Sequence, residues 1–338
     1  MRVTFLSTMC LMDPASGAAI AMRNLMAALA GAGVDAQSFT ASLFDQHTEV
    51  PFGPVLGRVT AKPEARGKLL RLQDRGVDNL VFVTASSRGP NMTSEEQRRM
   101  LALWARRLEE APPDIVLTYG SSALARAMQK AARDLGARVV FFLANSDYTD
   151  PGLIQPGDRV LCPSAFLRDH YREVLGVEAE VAYPIVSETA VLGPQEEAIA
   201  RHPELRGLGF VTFVNPLPHK GLTLFAAIAA RAARERPEMR FLVTEGRMTP
   251  DLLRRHGFDP ATSPNTWLIS TRRDVRDLWR RTAVLLAPSF CKEGFGQVVA
   301  EAQLSAIPAI ASTRGGLPEA LNGGIALDIP EECASDHS

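Results

Sequence analysis

The sequence predicts an α/β protein built from two doubly wound, Rossmann-like domains in series. Short apolar runs without strict alternation, typical of parallel strands buried on both faces, alternate along the chain with helical segments. At 338 residues the chain is too long for a typical single domain. A polar stretch without clear periodicity, 187–207, separates two series of such units, so we expect domains over 1–190 and 208–338.

The first domain begins with a strand, a loop and a helix that starts at Gly17. The dinucleotide fingerprint G-x-G-x-x-G is absent. Thr93 or Ser94, followed by Glu96 or Gln97, gives the capping signals of a helix that begins at about Ser94. The predicted strands are Arg2–Met9, Gln37–Ala41, a hairpin of Lys68–Leu72 and Leu80–Thr84, then Ile115–Thr118, Arg138–Leu143, Arg159–Cys162 and Val181–Tyr183. The predicted helices run from Gly17 to Gly31 or Gly33, from Ser94, over Ser122–Leu135 and over Ala165–Leu175.

The second domain repeats the alternation of strand and helix. Its predicted strands are Gly209–Val214, Arg240–Val243, Thr266–Ile269, Ala283–Ala287 and Ala309–Ser312. Its predicted helices are Leu222–Glu235, Asp251–His256, Val275–Arg281 and Gln297–Ala306. Ligands of open parallel sheets sit at the carboxyl ends of strands, so polar residues just past those ends are candidates for a site.

Composition excludes several classes of protein. The net charge is −1 without a basic block, which argues against a nucleic-acid or a strongly anionic membrane partner. The four cysteines are far apart and form no C-x-x-C, so we expect no metal or redox site and a cytoplasmic location. No apolar run approaches a membrane span, and the apolar start is broken by Asp13-Pro14, which favours a strand over a signal peptide.

The segment with the most candidate ligand-binding residues follows the predicted strand Ala283–Ala287. Glycines at Gly294 and Gly296 lead into a helix, where backbone can approach a ligand and first-turn N–H groups can bind an anion. Glu293 and Glu301 stand eight residues apart, roughly 12 Å along a helix, about the span from the ribose to the sugar of a nucleotide-diphosphate sugar. Glu293 could instead be an acid that is favoured only by the positive end of the helix dipole, and Glu301 could lie on a solvent-exposed face. The apolar neighbours of Glu301 make an unpaired carboxylate there costly.

Lys220 follows the first strand of the second domain, at the start of a helix. A lysine there opposes the helix dipole and is better explained by a bound anion, although a solvated surface lysine is the alternative.

The segment Pro288–Glu319 resembles the E-x7-E motif of retaining glycosyltransferases with the GT-B fold, most closely the large family 4, also called group 1. Pro308–Ser312 and Gly315–Glu319 extend the match. Lys220-Gly221 is similar to the end of that family's R-x4-K-G segment, although Asn215 stands at the arginine position.

The resemblance implies a GT-B fold, with two domains facing across a cleft, and metal-independent, cofactor-free transfer from a nucleotide-diphosphate sugar to an acceptor hydroxyl. It implies that Glu301 binds the ribose and Glu293 the sugar hydroxyls near the reacting centre. Lys220 and the N–H groups of Gly294, Phe295 and Gly296 would neutralise the departing diphosphate. Ser16-Gly17 would reach the diphosphate from the first domain. No protein nucleophile is required.

Several positions depart from the family pattern. Arg247 or Arg272 could replace the missing arginine, or be ordinary surface residues. Ala144 occupies the place of a common histidine, so Asn145 either supplies the polar contact to the sugar or only forms a turn. Ala306 replaces a usual glycine. The family usually continues well past Ile329, so we expect a short form or a truncated chain.

The expected partners are the sugar-nucleotide donor and a glycan, lipid-linked or small-molecule acceptor. We expect no nucleic acid and no transmembrane segment, while a peripheral membrane contact is compatible with the sequence. The alternatives are a catalytically weak sugar-nucleotide-binding protein and a GT-B nucleotide-sugar epimerase, which would need its own acid and base groups.

Overall fold

The structure, a computed structural model, describes residues 1–46, 48–196, 209–271 and 274–333. The chain divides into two compact units. The first comprises 1–144, 148–162 and 170–185, and the second comprises 145–147, 163–169 and 186–338. The domain bounds 1–190 and 208–338 stay a prediction, and much of the predicted connection lies outside the described residues.

The first unit contains an eight-stranded sheet with the order β3-β4-β2-β1-β5-β6-β7-β8. Its strands are β1 Arg2–Leu6, β2 Asp35–Ala41, β3 Leu69–Asp74, β4 Val77–Phe82, β5 Ile115–Thr118, β6 Arg138–Phe142, β7 Arg159–Cys162 and β8 Glu180–Val181. Only the predicted hairpin β3–β4 pairs antiparallel, around Arg75-Gly76, and the other neighbours are parallel. The strand order reverses at β1, as in a doubly wound sheet.

The helices of the first half of the chain are α1 Gly17–Gly31, α2 Gly53–Leu56, α3 Ser94–Glu110, α4 Ala123–Asp134 and α5 Ala165–Leu175. The predicted capping box is present: Thr93 Oγ1 accepts from the Glu96 N–H, and the Glu96 carboxylate accepts from the Thr93 N–H. Trp104 on α3 is fully buried, and its indole N–H donates to the Met128 carbonyl of α4. These contacts fix α3 and α4 side by side over the sheet.

The second unit contains a six-stranded, entirely parallel sheet with the order β11-β10-β9-β12-β13-β14. Its strands are β9 Phe210–Val214, β10 Phe241–Thr244, β11 Thr266–Ile269, β12 Thr282–Ala287, β13 Ala309–Ser312 and β14 Ile325–Leu327. Its helices are α6 Leu222–Glu235, α7 Pro250–Arg255, α8 Arg276–Trp279, α9 Gln297–Leu304 and α10 Leu317–Ala320. The order reverses between β9 and β12. The carboxyl ends of these two strands are therefore the point at which a doubly wound sheet opens a crevice for ligands.

The predicted fold class of two doubly wound sheets is confirmed, with small differences at element ends. The first strand ends at Leu6 and not at Met9, and α9 ends at Leu304 because Ala306 adopts the left-handed conformation with φ 56°. The three- and four-residue elements α2, α10 and β14 were not predicted. Such elements are too short to show a hydrophobic period. In the described part of the chain no helix is long and apolar enough to cross a membrane.

We expect Ala306→Gly to stabilise the protein. The left-handed conformation costs a residue with a Cβ about 1–2 kcal/mol, and glycine avoids this cost. Glycine also increases the conformational entropy of the unfolded chain, which offsets part of the gain in stability. The free energy of unfolding, measured by urea denaturation, should rise by about 0.5–1 kcal/mol.

The matched control is Ala230→Gly, at an exposed position inside α6. There the same exchange should lower stability by about 1 kcal/mol. Equal destabilisation at both positions would contradict the conformational explanation for Ala306.

Candidate functional site

The carboxyl ends of β9 and β12 carry a buried ion pair. Lys220 closes a short 3-10 turn after β9, and Glu293 lies in the loop after β12. The Lys220 Nζ atom lies 2.6 Å from both carboxylate oxygens of Glu293. The two side chains are only 22% and 15% exposed. The resemblance placed Glu293 near the reacting centre and Lys220 at the departing diphosphate, and these are the two predicted catalytic residues. The structure brings them together at the point where the strand order of the six-stranded sheet reverses.

Ser289 also contacts this pair. Its hydroxyl donates to Oε1 of Glu293 at 2.5 Å. Burial by itself would raise the pKa of Glu293, but the Lys220 ammonium and the Ser289 hydroxyl outweigh burial and hold that pKa below its usual value. Glu293 is thus ionised near neutral pH. Sequence reasoning missed Ser289, because a serine in a loop carries no periodic signal.

The two loops are held together through their backbones. Gly221, which follows Lys220, has φ 90°, and a Cβ there would collide with the carbonyl of Pro288. The Phe290 N–H donates to the His219 carbonyl at 2.8 Å. Only glycine allows this approach, so Gly221 fixes the turn that carries Lys220 against the loop that leads to Glu293.

A second glycine pair holds the loop of Glu293 from the other side. The backbone at Gly315 bridges Glu293, and the Gly316 N–H donates to the Glu293 carbonyl at 2.7 Å. A Cβ on Gly315 would collide with the Glu293 backbone, and one on Gly316 would lie 2.6 Å from the Gly294 carbonyl oxygen. The predicted Gly315-Gly316 motif is thus a close backbone contact that positions Glu293.

Glu319 ends the same motif and binds a neighbouring segment of the second unit. Its carboxylate accepts from the N–H groups of Ala165 and Phe166 at 2.7 and 2.8 Å. An acid that accepts from first-turn N–H groups stabilises the start of a helix, here α5. Glu319 is therefore a structural member of the motif.

The start of α9 offers backbone donors. Gly296 caps the helix with φ 101°, and a Cβ there would lie 2.5 Å from Leu317 Cδ2. Within the residues that the structure describes, the N–H groups of Gly294, Gly296, Gln297 and Val298 make no hydrogen bond. Unsatisfied N–H groups at a helix N-terminus form a ready site for an anion such as a phosphate. Phe295 packs its side chain against the adjoining hydrophobic core.

Glu301 lies one turn into α9 and is partly buried. Its carboxylate makes no hydrogen bond or ion pair to any described residue, and burial raises its pKa to about 8. A carboxyl group that is buried without a partner lowers stability and is typical of a functional site. Because α9 begins only at Gln297, half of the segment from Glu293 to Glu301 is loop, and the expected helical spacing does not apply to it.

The Asn215 side chain accepts a backbone hydrogen bond at the exit of β9. The residue has φ 55°, a left-handed conformation that asparagine tolerates, and its Oδ1 accepts from the Arg247 N–H at 3.0 Å. This bond ties the exit of β9 to the loop after β10. A donor-binding role for Asn215 stays a prediction, and Arg272 lies outside the described residues.

Gly17 and Asn145 are the remaining predicted residues. Gly17 is the first residue of α1, and a Cβ there would meet no atom within 4 Å, so local packing in the first unit does not require glycine. The Asn145 amide donates to Asp147 at 2.8 Å, and its Oδ1 accepts from the Asp147 N–H. The structure thus has the turn-forming arrangement at Asn145, while contact with a sugar stays a prediction.

The described residues near Glu293 include one cysteine, Cys291, and it is buried. Burial raises the pKa of the Cys291 thiol, beside Glu293, to about 12, which makes it a poor nucleophile. The described residues contain no group of three or more histidine, cysteine, aspartate or glutamate side chains that could hold a metal ion.

Comparison with known proteins agrees with this geometry. The family model for "Glycosyl transferases group 1" matches residues 206–335, which include the loops of Lys220 and Glu293 and helix α9. A search of curated proteins finds no match.

Several solved structures resemble the whole chain. Anabaena HepE (Alr3699), solved with UDP and glucose, is 16% identical with a TM-score of 0.63 over 98% of this chain and 87% of that one. WaaG, a glycosyltransferase involved in lipopolysaccharide biosynthesis, is 14% identical with a TM-score of 0.64 over 97% and 86%. Trehalose-6-phosphate synthase, studied for glycosyl transfer with retention, is 14% identical with a TM-score of 0.60 over 97% and 88%.

These likenesses establish that the chain has the GT-B fold. The resemblance to group 1 glycosyltransferases, stated above from Pro288–Glu319 and Lys220-Gly221, is confirmed by the family match over the second unit and by the fold.

We expect Glu301→Gln to stabilise the ligand-free protein at high pH. With a pKa near 8 when folded and an ordinary value of 4.5, Glu301 holds a proton in the folded state that it loses on unfolding. The resulting stability is complete below the lower value and is lost as pH rises through about 8. Glutamine removes this loss, so urea denaturation at pH 9 should give a gain of about 4–5 kcal/mol over wild type.

At pH 5 the gain from Glu301→Gln should fall to about 1 kcal/mol or less. Glu109→Gln, at an exposed position on α3, is the matched control and should change stability little at either pH. A gain that is independent of pH would show that burial of the Glu301 charge is not its cause.

Proposed function

We propose that this protein is a retaining glycosyltransferase that moves a sugar from a nucleotide-diphosphate sugar to an acceptor hydroxyl in glycan biosynthesis. One observation carries the proposal. Glu293, which forms a buried ion pair with Lys220, lies in the loop that leads to the unsatisfied N–H groups of α9. Glu301, whose carboxylate has no partner among the described residues, follows one turn later. This order of cation, N–H donors and carboxylates suits a diphosphate with a sugar on one side and a ribose on the other.

The diphosphate is assigned to the N–H groups at the start of α9 and to Lys220. Negative charge grows on the departing diphosphate as the sugar bond breaks, and fixed donors aimed at that charge lower the barrier. In the free protein Lys220 is oriented by Glu293. A bound diphosphate would share the ammonium with Glu293, so the cation is in place before the reaction starts.

The two carboxylates receive different roles. Glu293 is ionised and accepts hydrogen bonds from the hydroxyls of the transferred sugar, which fixes that sugar beside Lys220. Glu301 accepts from the ribose hydroxyls, which would provide the partners that its carboxylate lacks among the described residues. Because a carboxylate accepts better when it is ionised, ribose binding should release the Glu301 proton.

The proposed mechanism uses no metal, no cofactor and no protein nucleophile. The acceptor hydroxyl oxygen bonds to the anomeric carbon of the sugar on the same face from which the diphosphate leaves, as the bond between that carbon and the phosphate oxygen breaks. Attack on the same face retains the configuration of the sugar. An oxygen of the departing diphosphate takes the hydroxyl proton. The position of Lys220 and of the unsatisfied N–H groups at the start of α9 supports this proposal, because these donors would stabilise a diphosphate without a divalent ion.

The remaining assignments complete the proposal. Residues 1–190 form the acceptor-side domain and 208–338 the domain that binds the donor. Gly17, Asn215 and Arg272 are further donor-binding positions, and Asn145 lies on the sugar or acceptor side. The acceptor is a glycan, a lipid-linked molecule or a small hydroxyl compound, which the mass of the transfer product would identify. A cytoplasmic location fits a described chain without disulfides, and cell fractionation would test it.

A catalytically weak sugar-nucleotide-binding protein is the second candidate. Asn215 favours it, because its side-chain oxygen binds the Arg247 N–H and it supplies no second cation. Ala144, at the position of a common histidine, points the same way. A nucleotide-sugar epimerase is a third candidate, which a product assay with the donor alone would detect.

We expect one nucleoside diphosphate, and its sugar, to raise the melting temperature. A ligand at about 100 times its Kd adds roughly 2.7 kcal/mol to the free energy of unfolding. The shift should persist in EDTA, disappear in Glu301→Ala and grow as pH rises from 7 to 8.5, because ribose binding prefers the ionised form of Glu301. A panel of UDP, GDP, ADP and their sugars, followed by thermal unfolding, tests this. No shift with any of them would rule out the transferase.

We expect Glu293→Gln to lower kcat of sugar transfer by about a hundredfold while nucleotide affinity changes little. Removing the charge also leaves Lys220 buried without its counter-ion, which should cost about 3 kcal/mol of stability. Ser289→Ala is the milder control, since it removes one hydrogen bond to Glu293 and keeps the ion pair. A protein that binds nucleotide but shows no turnover even as wild type would be the binding protein.

A further inference from the structure

Gln297 is the first residue of α9, and its side-chain amide has no hydrogen-bond partner among the described residues. Its Nε2 atom is fully buried and makes no hydrogen bond within the described chain. A buried N–H donor without an acceptor costs stability, so a native protein rarely keeps one without a reason. The proposed transferase mechanism described above assigns this amide no task.

The position of Gln297 decides which ligand atom it can reach. It stands four residues before Glu301, so the two side chains share one face of α9 on successive turns. Side chains on a helix lean toward its N-terminus, so we infer from the place of Gln297 in α9 that its amide lies on the side of the glycine loop 294–296. The N–H groups of Gly294 and Gly296 in that loop make no hydrogen bond to any described residue. Glu301, one turn later, lies further from that anion site.

We propose that Gln297 is a donor-binding residue whose amide N–H groups donate to an oxygen of the nucleotide diphosphate, between the backbone donors of α9 and the ribose held by Glu301. This rests on the proposed function and adds a phosphate contact to it. A phosphate oxygen is the acceptor that the buried amide lacks. The amide also offers a neutral donor in a protein whose Asn215 supplies no second cation.

The test measures the affinity of three probes by titration calorimetry: the nucleoside diphosphate that binds best in the panel, the corresponding nucleoside, and inorganic pyrophosphate. Gln297→Leu keeps the volume of the side chain and removes its donor. It should weaken the diphosphate and pyrophosphate about tenfold or more and leave the nucleoside unchanged. Gln297→Glu should weaken both phosphate ligands further, because a carboxylate repels them.

The control is Gln303→Leu on the same helix. That side chain exchanges hydrogen bonds with the Asn322 backbone, so its loss should lower stability and leave all three affinities as in wild type. Melting temperatures of each variant show that the chain is folded.

The outcomes separate the two proposals. Wild-type affinity for the diphosphate in Gln297→Leu, or an equal loss of nucleoside affinity, overturns the role of Gln297 and leaves the transferase intact. Absence of nucleotide binding by the wild-type protein overturns both.

Discussion

The buried ion pair between Lys220 and Glu293 is the interaction around which the second unit is arranged. The two residues leave adjacent parallel strands at the reversal of the strand order, so the sheet delivers both to one edge. Either charge left alone in that setting would be strongly destabilising. The pair therefore constrains both loops at once, and it keeps the Lys220 side chain oriented in the free protein.

Glycines make that arrangement rigid. Gly221 lets the lysine turn lie against Pro288, and Gly315 lets the chain after β13 lie against Glu293. Both positions have positive φ, and a side chain at either would push apart backbones that now touch. The Glu293 loop is consequently fixed on two sides by backbone contacts, while the N–H groups at the start of α9 keep their hydrogen-bonding capacity. Rigid loops with unsatisfied donors are what a preorganised anion site requires.

The sequence predicts long, periodic or capped elements well and short or strained ones poorly. The helices Ala165–Leu175 and Leu222–Glu235 have the predicted bounds, because each shows a clear apolar face. β14 has three residues and no period to read, and α9 stops early because Ala306 leaves the helical region. At the site, the motif indicated Glu293, Glu301 and Lys220. That Glu301 has no partner among the described residues, and that the Gln297 amide is buried, depends on packing, which one sequence does not reveal.

Asn215 stands where the R-x4-K-G segment of the resembled family has an arginine, and the structure is needed to explain this difference. The residue has φ 55°, and its side-chain oxygen binds the N–H of Arg247, so it secures a turn between two strand exits. An arginine has no acceptor and could not make that bond. The backbone at this strand exit is thus built around an asparagine, which brings no positive charge to this position. Among the described residues to which the proposal assigns the diphosphate, Lys220 is the one cation and the donors at the start of α9 are neutral. Diphosphate binding should therefore respond more to the geometry of hydrogen bonds than to the charge of the site.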